Sequence, residues 1–399
     1  MGTMLRCYFM VFAALSGFPG WAAVAGAEGT RAVPANSGMA SRELRKSIRM
    51  GVEYLLRSQN SNGWWSTSEQ PAVTGLALTA IQLAPGSRPD RGRSSELNRG
   101  YDYLLSSVKP DGGIYRVGMA NYNTSLALMA LASAHDEHFQ PVITRARRFL
   151  ANSQIDLGVV GTNDTVFDGG VGYGSKYQHS DMNNTLVAIE AMRFSEVAYR
   201  FRDKPGASDT MPDLNWSAVA AFLQNCQNLR SVNAADWVST DPKDRGGFVY
   251  YPGDSKAGAV TNGASGKVAL RSYGSISYAG LMSYIHAQVD KNDPRVKAVM
   301  EWLRSNYSIA ENPGMGQQGY YYYLHLMAKA LKAAGVERLK VSSGQEIDWR
   351  KEVAGRLTEL QKPDGSWVNP ETRWWESDPV LVTSYALMTL ELIDSGSKN

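Results

Sequence analysis

Hydrophobic residues along this chain follow two helical patterns that alternate. Segments such as "ITRARRFLANSQ" (143–154) and "VKAVMEWLRSNY" (296–307) place apolar residues every three or four positions with charges between them. This spacing predicts amphipathic helices with one exposed face. Segments such as "NTSLALMALASA" (123–134) are apolar or small on nearly all sides, which predicts helices buried over most of their surface. Each segment of the first kind precedes one of the second, so the helices come in pairs.

The helix pairs repeat six times. Each copy has an amphipathic first helix, a glycine-containing turn and an apolar second helix, and the copies cover nearly everything after residue 40. Six half-exposed and six buried helices predict two concentric rings, an all-α (α/α)6 toroid with the second helices inside. An open solenoid is the alternative, although it would not require every second helix to be this apolar. The copies span residues 41–84, 94–134, 139–195, 214–287, 293–335 and 348–392.

Glycines lie in the turn between the paired helices. Asn-Gly and Asp-Gly steps supply the positive φ angle that a tight reversal needs. We expect that conformation at Gly63, Gly112, Gly169, Gly246, Gly314 and Gly365. A large residue follows closely in five copies and is expected to pack between neighbouring pairs; these residues are Trp64, Ile114, Tyr173, Phe248 and Trp367.

The first 27 residues have the pattern of a secretory signal peptide. Arg6 precedes an apolar run, and Ala25-Gly26-Ala27 forms a small-x-small cleavage sequence. The run is too short and too interrupted by Gly and Pro to span a membrane. We therefore predict an exported protein, periplasmic or secreted. The predicted divisions are a signal peptide over 1–27, a flexible segment over 28–40, one toroid domain over 41–394 and a tail over 395–399.

Composition and charge exclude several classes of function. The 399 residues are 43% hydrophobic and 20% charged, which suits a soluble protein with a large core. A net charge of +3 without a Lys/Arg block gives no sign of a nucleic-acid partner. After loss of the signal peptide only Cys226 would remain, so no intrachain disulfide is expected. No ligand spacing fits a zinc site, and we predict neither a metal nor a cofactor.

The repeats resemble the prenyltransferase and squalene-cyclase repeat superfamily over residues 41–394. The resemblance lies in glutamine at the end of a first helix followed by glycine and an aromatic residue. "LLRSQNSNGWW", "FLANSQ" with "DGGVGYG", and "LTELQKPDGSW" are similar to the QW motifs of triterpene cyclases. "DGGVGYGSKYQHSDMNNTLVAIEAM" resembles the entry to an inner helix in protein prenyltransferase β-subunits. The resemblance implies a toroid, which serves enzymes and binding domains alike.

Three functional signatures of this superfamily are missing. The Asp-x-Asp-Asp acid of class II cyclases has only "ESDP" and "HSDMNN" in its place. In the prenyltransferase zinc site Asp181 matches the aspartate, but Asn183 stands where the cysteine belongs. The Cys-Gly-Glu-Gln thioester of complement-type domains is absent. Function therefore does not transfer with the fold.

Four polar residues near the starts of inner helices are candidate acid or base groups: Glu376, Asp378, His179 and Asp181. For a cyclase-like enzyme, Glu376 and Asp378 are the favoured proton source. Both aspartates precede apolar helices, and capping a helix would lower the pKa of such a carboxylate. Pro379 suits a first helical position, so capping is the favoured role of Asp378. His179 could pair with Asp181 or be an ordinary hydrogen-bonded histidine.

Aromatic residues are concentrated at the same helix starts. Aromatic faces stabilise carbocations, stack on sugars or simply fill a barrel. If the rings close, these residues share one rim, and we predict a ligand site there. Its candidate ligand-binding residues are Trp374, Trp375, Tyr273, Tyr320, Tyr321, Arg271, Gln318 and Tyr122. The Gly/Ser/Asp-rich insertion over 231–270 is either a flap over this rim or a plain loop.

Three functions remain open on the sequence. The leading hypothesis is an exported toroid that binds a small hydrophobic isoprenoid-type molecule in its central cavity, with processing of that molecule left open. The second is a non-enzymatic toroid that holds a protein partner outside the cytoplasm. The third is a carbohydrate-active α/α barrel, a hydrolase or lyase, with His179, Asp181 and Glu376 as acid/base groups. Paired free carboxylates in an open cleft would favour the third, whereas an aromatic cavity with few charges would favour the first.

Overall fold

Twelve long helices form the described part of the protein. The computed structural model describes residues 36–85, 94–174, 179–200, 211–261, 266 and 268–396. The first helices of the pairs are α1 (Asn36–Arg57), α3 (Ser95–Ser106), α5 (Gln140–Asn152), α7 (Trp216–Asn225), α9 (Pro294–Ser305) and α11 (Trp349–Leu360). The second helices are α2 (Pro71–Leu83), α4 (Ala120–Ser133), α6 (Met182–Arg200), α8 (Gly274–His286), α10 (Tyr320–Ala333) and α12 (Pro379–Gly396).

Short elements complete the description. Two 3-10 turns cover Glu137–Phe139 and Arg373–Trp375. Two antiparallel hairpins pair β1 (Ala259–Thr261) with β2 (Val268–Leu270), and β3 (Leu339–Lys340) with β4 (Glu346–Ile347).

The second helices form a closed inner ring. Along the series α2, α4, α6, α8, α10 and α12 each helix packs on the next, and α12 packs back on α2. Every residue of α8 is buried, whereas the outer helix α9 buries only four side chains on one face. The predicted all-α toroid is therefore confirmed, with its apolar helices inside.

Glutamine side chains tie the turn to the next outer helix in four of the six repeats. The Gln59 amide donates to the carbonyl of Gly63 at 2.9 Å and to that of Glu96, in the second repeat, at 2.8 Å. Gln154 and Gln227 make the same pair of bonds in their repeats. In the last repeat the Gln361 amide donates to Gly365 at 3.0 Å and to Ser47 of α1 at 2.9 Å. This bond joins the last repeat to the first.

The turn glycines adopt the predicted conformation. All six have φ between +83° and +93°. At Gly365 an added Cβ would lie 2.3 Å from the Met50 carbonyl oxygen of α1, so glycine is required both by φ and by the close approach of the next helix. The prediction for these six positions is confirmed.

Two of the five predicted packing residues were assigned to the wrong position. In these five repeats the residue that packs between pairs is the one whose backbone N–H donates to a hydroxyl on its own inner helix, as Trp367 does to Thr383 at 3.0 Å. In the first repeat this residue is the fully buried Trp65, not Trp64. In the third repeat it is Val171, and Tyr173 faces the barrel interior instead. Adjacent aromatic residues in a turn point in different directions, which sequence spacing alone did not resolve.

The chain ends differ slightly from the predicted divisions. Helix α1 begins at Asn36, so residues 36–40, predicted to be flexible, are helical. Helix α12 continues to Gly396, two residues beyond the predicted end of the toroid. The predicted signal peptide over 1–27 lies outside the described residues. None of the described helices combines the length and hydropathy needed to cross a membrane.

Candidate functional site

The starting ends of the six inner helices surround one cavity. It has a volume of about 690 Å³ and receives lining residues from all six repeats. We call it the central cavity. The common mouth expected from closed rings is therefore present. Its aromatic lining consists of Tyr122, Tyr173, Tyr250, Tyr251, Tyr273, Tyr322, Tyr385, Trp374 and Trp375.

The N-termini of three inner helices around this cavity, α2, α8 and α10, are capped by groups from the following repeat. Asn123 Oδ1 accepts the Ala72 N–H of α2 at 2.9 Å. Asn312 Oδ1 accepts the Ser275 N–H of α8 at 2.9 Å. These N–H groups have no partner within their own helix, so caps from outside satisfy them at a buried rim. These polar side chains beside the cavity therefore stabilise the starts of the inner helices.

Glu376 is such a cap. Its side chain is buried, and its oxygens accept the backbone N–H of Tyr322 at 2.8 Å and of Tyr321 at 3.3 Å, at the start of α10. The Asn369 amide donates to it at 2.7 Å. Burial raises the pKa of Glu376 above its ordinary value, although these hydrogen bonds oppose the shift. Both oxygens of this carboxyl group already accept hydrogen bonds, so it is poorly placed to deliver a proton to the cavity.

Asp378 caps the helix that follows it. Its Oδ1 accepts the N–H of Val380 at 2.8 Å and of Leu381 at 3.3 Å, as α12 begins at Pro379. Its other oxygen accepts a hydrogen bond from the Ser66 hydroxyl of the first repeat. The capping role favoured on the sequence is the geometry observed.

Asp181 is a buried acid at the start of α6. It is fully buried and caps α6, accepting the Asn184 N–H at 2.9 Å and the Asn184 side-chain amide at 2.7 Å. Burial raises the pKa of Asp181 to about 6, although hydrogen bonds from Asn184 and Tyr250 lower it. The expectation that capping would depress this pKa was wrong, because desolvation outweighs the cap.

A pair of tyrosines connects Asp181 to the cavity. The hydroxyl groups of Tyr250 and Tyr173 lie 3.1 Å apart, and both side chains line the cavity. The Tyr250 hydroxyl also interacts with Asp181 and lowers the pKa of that carboxyl. Asp181 itself lies behind this wall. The arrangement places two tyrosine hydroxyl groups between a buried acid and the cavity.

His179 and Lys256 form the polar side of the lining. The His179 ring lies 4.5 Å from the Tyr251 ring, and its Nδ1 is 3.3 Å from the Ser180 carbonyl oxygen. The Lys256 ammonium is 2.5 Å from an oxygen of Asp254 and 4.6 Å from the centre of the Tyr250 ring. The His179 ring also interacts electrostatically with Asp181 and lowers the pKa of that carboxyl.

Trp374 and Trp375 form an exposed, strained rim. They are 42% and 47% exposed, and both have left-handed backbone angles, with φ of 57° and 65°. Bulky residues rarely adopt this conformation, and such strain is concentrated at functional sites. The Arg373 guanidinium lies 4.4 Å from the Trp374 ring. Two large apolar side chains are thus held at the mouth at an energetic cost.

The four consecutive tyrosines of α10 divide between the cavity and the outer ring. Tyr322 lines the cavity, together with Tyr122 and Tyr273. Tyr320 instead donates to the Ile309 carbonyl and accepts from Arg356 of α11 at 3.3 Å. Tyr321 is buried with its ring against Tyr320. The structure therefore places the predicted ligand residues Tyr320 and Tyr321 outside the cavity lining.

Arg271 and Gln318, also predicted as ligand-binding, lie outside the lining as well. The Arg271 guanidinium binds Asp241 at 2.7 Å and Asp244 at 2.8 Å, which fastens the inserted segment. Gln318 accepts from Arg373 at 2.6 Å. The insertion over 231–270 is more than a flap or plain loop, because it contributes Tyr250, Tyr251 and Lys256 to the cavity wall.

Tyr385 is a cavity residue that the sequence analysis missed, and Tyr322 is one that its candidate ligand-binding residues did not include. The feature of the sequence that could have identified them as cavity residues is helical periodicity. On α10, Tyr322 shares a face with Leu326 and Lys329, and on α12, Tyr385 shares one with Leu381 and Met388. Among the described residues, no group of three or more His, Cys, Asp or Glu side chains is placed to hold a metal ion.

Neither a protein family nor a curated protein matches the sequence. Several solved structures, however, are similar to this protein. A variant of the type II terpene cyclase MstE from Scytonema, in complex with its substrate geranylgeranyl dihydroxybenzoate, has a TM-score of 0.51 at 12% identity, over 90% of this chain and 99% of the cyclase. An inactive variant of the α-1,6-mannanase GH76A of Salegentibacter, in complex with α-1,6-mannotriose, has a TM-score of 0.52 at 11% identity, over 88% of this chain and 99% of the mannanase.

A family 76 glycoside hydrolase from a bovine Bacteroides thetaiotaomicron strain is similar to the same degree. Its TM-score is 0.52 at 10% identity, over 87% of this chain and 77% of the hydrolase. Identities this low establish shared architecture and leave activity open. The chain has the terpene-cyclase-like α/α toroid fold.

Proposed function

We propose that the protein binds a small hydrophobic molecule of the isoprenoid type in the central cavity. The observation that carries the proposal is the cavity itself, about 690 Å³ walled by nine tyrosine and tryptophan side chains from several repeats. This volume lies within the range of roughly 300–1,000 Å³ typical of small-molecule sites. Aromatic side chains offer large apolar surfaces to such a ligand.

The charges of the cavity favour this ligand over a sugar. Glycoside hydrolysis usually needs two available carboxyl groups facing each other across the substrate. Within the described lining, Glu376 is the only carboxyl side chain, and backbone N–H groups of α10 occupy its oxygens. The described lining therefore lacks the pair of available carboxyl groups that the carbohydrate hypothesis requires.

Proton-dependent processing of the bound molecule is a second candidate function. It is favoured by Asp181, whose raised pKa of about 6 leaves part of the population protonated near neutral pH. Tyr250 and Tyr173 would pass its proton to the cavity, where the aromatic rings would stabilise a cation. We propose Asp181, ahead of Glu376 and Asp378, as the acid, and we retain export from the cytoplasm as part of the proposal.

The binding proposal is tested by calorimetric titration of the full chain with geranylgeraniol and, separately, with α-1,6-mannotriose. We expect the prenyl alcohol to bind and the trisaccharide not to bind. Trp375→Ala should weaken prenyl binding by about tenfold, equivalent to about 1.4 kcal/mol. Val160→Ala removes a side chain that is 84% exposed and outside the cavity lining, and it should leave the affinity unchanged.

The opposite preference would overturn the proposal. If mannotriose binds and the prenyl alcohol does not, the central cavity would be a carbohydrate-binding site. Equal loss of affinity in both variants would show that the prenyl alcohol binds exposed apolar surface and not the cavity.

A further inference from the structure

A second, smaller space lies below the central cavity along the barrel axis. Its volume is about 90 Å³, and it lies toward the C-terminal ends of the inner helices. We call it the lower space. Both spaces share the lining residues Leu76, Tyr122, Tyr322 and Tyr385. The three tyrosine side chains therefore lie between the two spaces, and we call them the tyrosine floor.

Contacts among its own members hold the tyrosine floor closed. The rings of Tyr322 and Tyr385 pack with their centres 5.5 Å apart. The Tyr385 hydroxyl lies 3.3 Å from that of Tyr122, and the Tyr322 hydroxyl donates to Asn183 of α6 at 2.6 Å. These contacts join α4, α6, α10 and α12 across the axis. A ligand that enters the central cavity from its mouth therefore meets aromatic rings at the bottom.

The lining changes in polarity from the mouth to the region below the floor. At the mouth, Gln70, His179 and Lys256 line the central cavity from connections that precede inner helices. Burying a polar group without a partner costs free energy, whereas burying an apolar chain is favourable. An amphiphilic molecule is therefore favoured with its polar end at the mouth and its apolar tail toward the floor.

The wall directly below the tyrosine floor is apolar. One helical turn after each floor tyrosine, the same helix face presents an apolar side chain to the lower space. These side chains are Leu126 on α4, Leu326 on α10 and Met388 on α12. The lower space would thus suit the end of an apolar chain, but the floor tyrosines close it off from the central cavity.

We propose that the tyrosine floor limits the length of the prenyl chain that the central cavity accepts, so that the protein selects a linear isoprenoid by its number of isoprene units. This inference rests on the proposed function. The tail ends against the floor rings while the polar head group stays at the mouth.

The size of the lower space fixes how far the limit should move when the floor is opened. An apolar cavity of about 150 Å³ holds benzene, so a space of about 90 Å³ suits roughly the five carbons of one isoprene unit. Removal of one floor ring joins this space to the central cavity. The accepted chain should then lengthen by one unit.

Geraniol, farnesol, geranylgeraniol, geranylfarnesol and hexaprenol form a series of linear alcohols, each one isoprene unit longer than the last. Each is titrated into the full chain in a nonionic detergent, and binding is followed by the fluorescence of Trp374 and Trp375 in the cavity lining. In the wild type, affinity should rise to an optimum length and fall beyond it. In Tyr385→Ala the optimum should be one unit longer, and the first alcohol beyond the wild-type optimum should bind about tenfold more tightly.

Three further variants act as controls. Tyr385→Phe keeps the ring and removes only the hydroxyl, so the optimum length should not change. Tyr251→Ala removes a ring from the central cavity that is absent from the described lining of the lower space. It should weaken binding of every alcohol and leave the optimum length unchanged. Tyr122→Ala opens the floor from α4 and provides the same test if Tyr385→Ala does not fold.

The outcomes separate this inference from the proposed function. If the alcohols bind but the wild type shows no optimum, or Tyr385→Ala and Tyr122→Ala leave the optimum unchanged, the floor does not select by length and only this inference is overturned. An equal lengthening in Tyr251→Ala would also overturn it, since added volume anywhere would then suffice. If none of the alcohols binds to the wild type, the proposed isoprenoid ligand itself is rejected.

Discussion

The hydroxyl groups of Tyr122 and Tyr385 lie 3.3 Å apart and join α4 to α12 across the barrel axis. Together with Tyr322, whose hydroxyl donates to Asn183 at 2.6 Å, they form the tyrosine floor. This floor separates the central cavity from the lower space of about 90 Å³ toward the C-terminal ends of the inner helices. Burial raises the pKa of Tyr122 to about 12, so these phenols stay neutral and donate. The floor is thus held by hydrogen bonds between side chains that are far apart in sequence.

The first prediction concerns the strength of that floor. Tyr122→Phe and Tyr385→Phe each remove one partner of the same hydrogen bond, so the double variant should lose little more than either single one. The expected coupling is about 1 kcal/mol in the free energy of unfolding. Chemical denaturation of the four proteins measures it. Strictly additive losses would mean that the two hydroxyls do not bond to each other.

Asp181 provides a prediction about pH. Its folded pKa of about 6 is above the value near 3.8 expected for an exposed aspartate. A raised carboxyl pKa means that its stabilising contribution is complete below the unfolded pKa and disappears as pH rises through the folded pKa.

The wild type should therefore lose stability relative to Asp181→Asn by roughly 2 kcal/mol as pH rises from about 4 to about 7. Denaturation at several pH values provides the measurement. Asp241→Asn serves as the control, because the pKa of Asp241 is lowered and the sign of its effect is reversed. A pH-independent difference between wild type and Asp181→Asn would contradict the raised pKa.

The sequence predicted the architecture better than the site because the two depend on different signals. Ring closure follows from how many faces of each helix are apolar, and that is visible in "NTSLALMALASA". The role of Glu376 depends on its contact with Tyr322 of another repeat, 54 residues away. A capping side chain that one repeat supplies to the helix of another leaves no local pattern in the sequence.

The same difference explains the tyrosines of α10. Four consecutive aromatic residues attract attention as a group, but a helix turns 100° per residue and directs each to a different neighbour. Tyr320 therefore contacts α11, whereas Tyr322 faces the cavity. If the inward-facing positions of α10 had been chosen from the spacing of its apolar residues, Tyr322 would have been selected.

Glu391 on α12 should limit stability at neutral pH. It is 5% exposed, and neither carboxyl oxygen has a partner among the described residues. Burial holds its pKa well above the usual range, so it is protonated in the fold, and stability falls as pH rises above the unfolded pKa near 4.3.

Glu391→Gln removes this titration and should raise the free energy of unfolding at about pH 8 by roughly 1–3 kcal/mol, with a smaller gain at about pH 5. Thermal unfolding at both pH values tests the difference. Glu301→Gln, on the exposed face of α9, should change stability very little at either pH. Equal effects of the two variants would show that burial of Glu391 carries no electrostatic cost.

Closure of the ring should depend on Gly365. Its φ of +89° and the approach of the Met50 carbonyl oxygen, 2.3 Å from an added Cβ, both forbid a side chain. Gly365→Ala should therefore push α1 away from the last turn and weaken the bond from Gln361 to Ser47. We expect a loss of more than about 2 kcal/mol in the free energy of unfolding, since strain and a backbone clash add.

Gly355→Ala is the control, in the same repeat but inside α11. Its added Cβ meets nothing within 4 Å, so this variant should instead gain up to about 1 kcal/mol in the free energy of unfolding. Chemical denaturation compares the pair, and a loss at Gly365 no larger than the change at Gly355 would mean that the contact between the last turn and α1 is not required for stability.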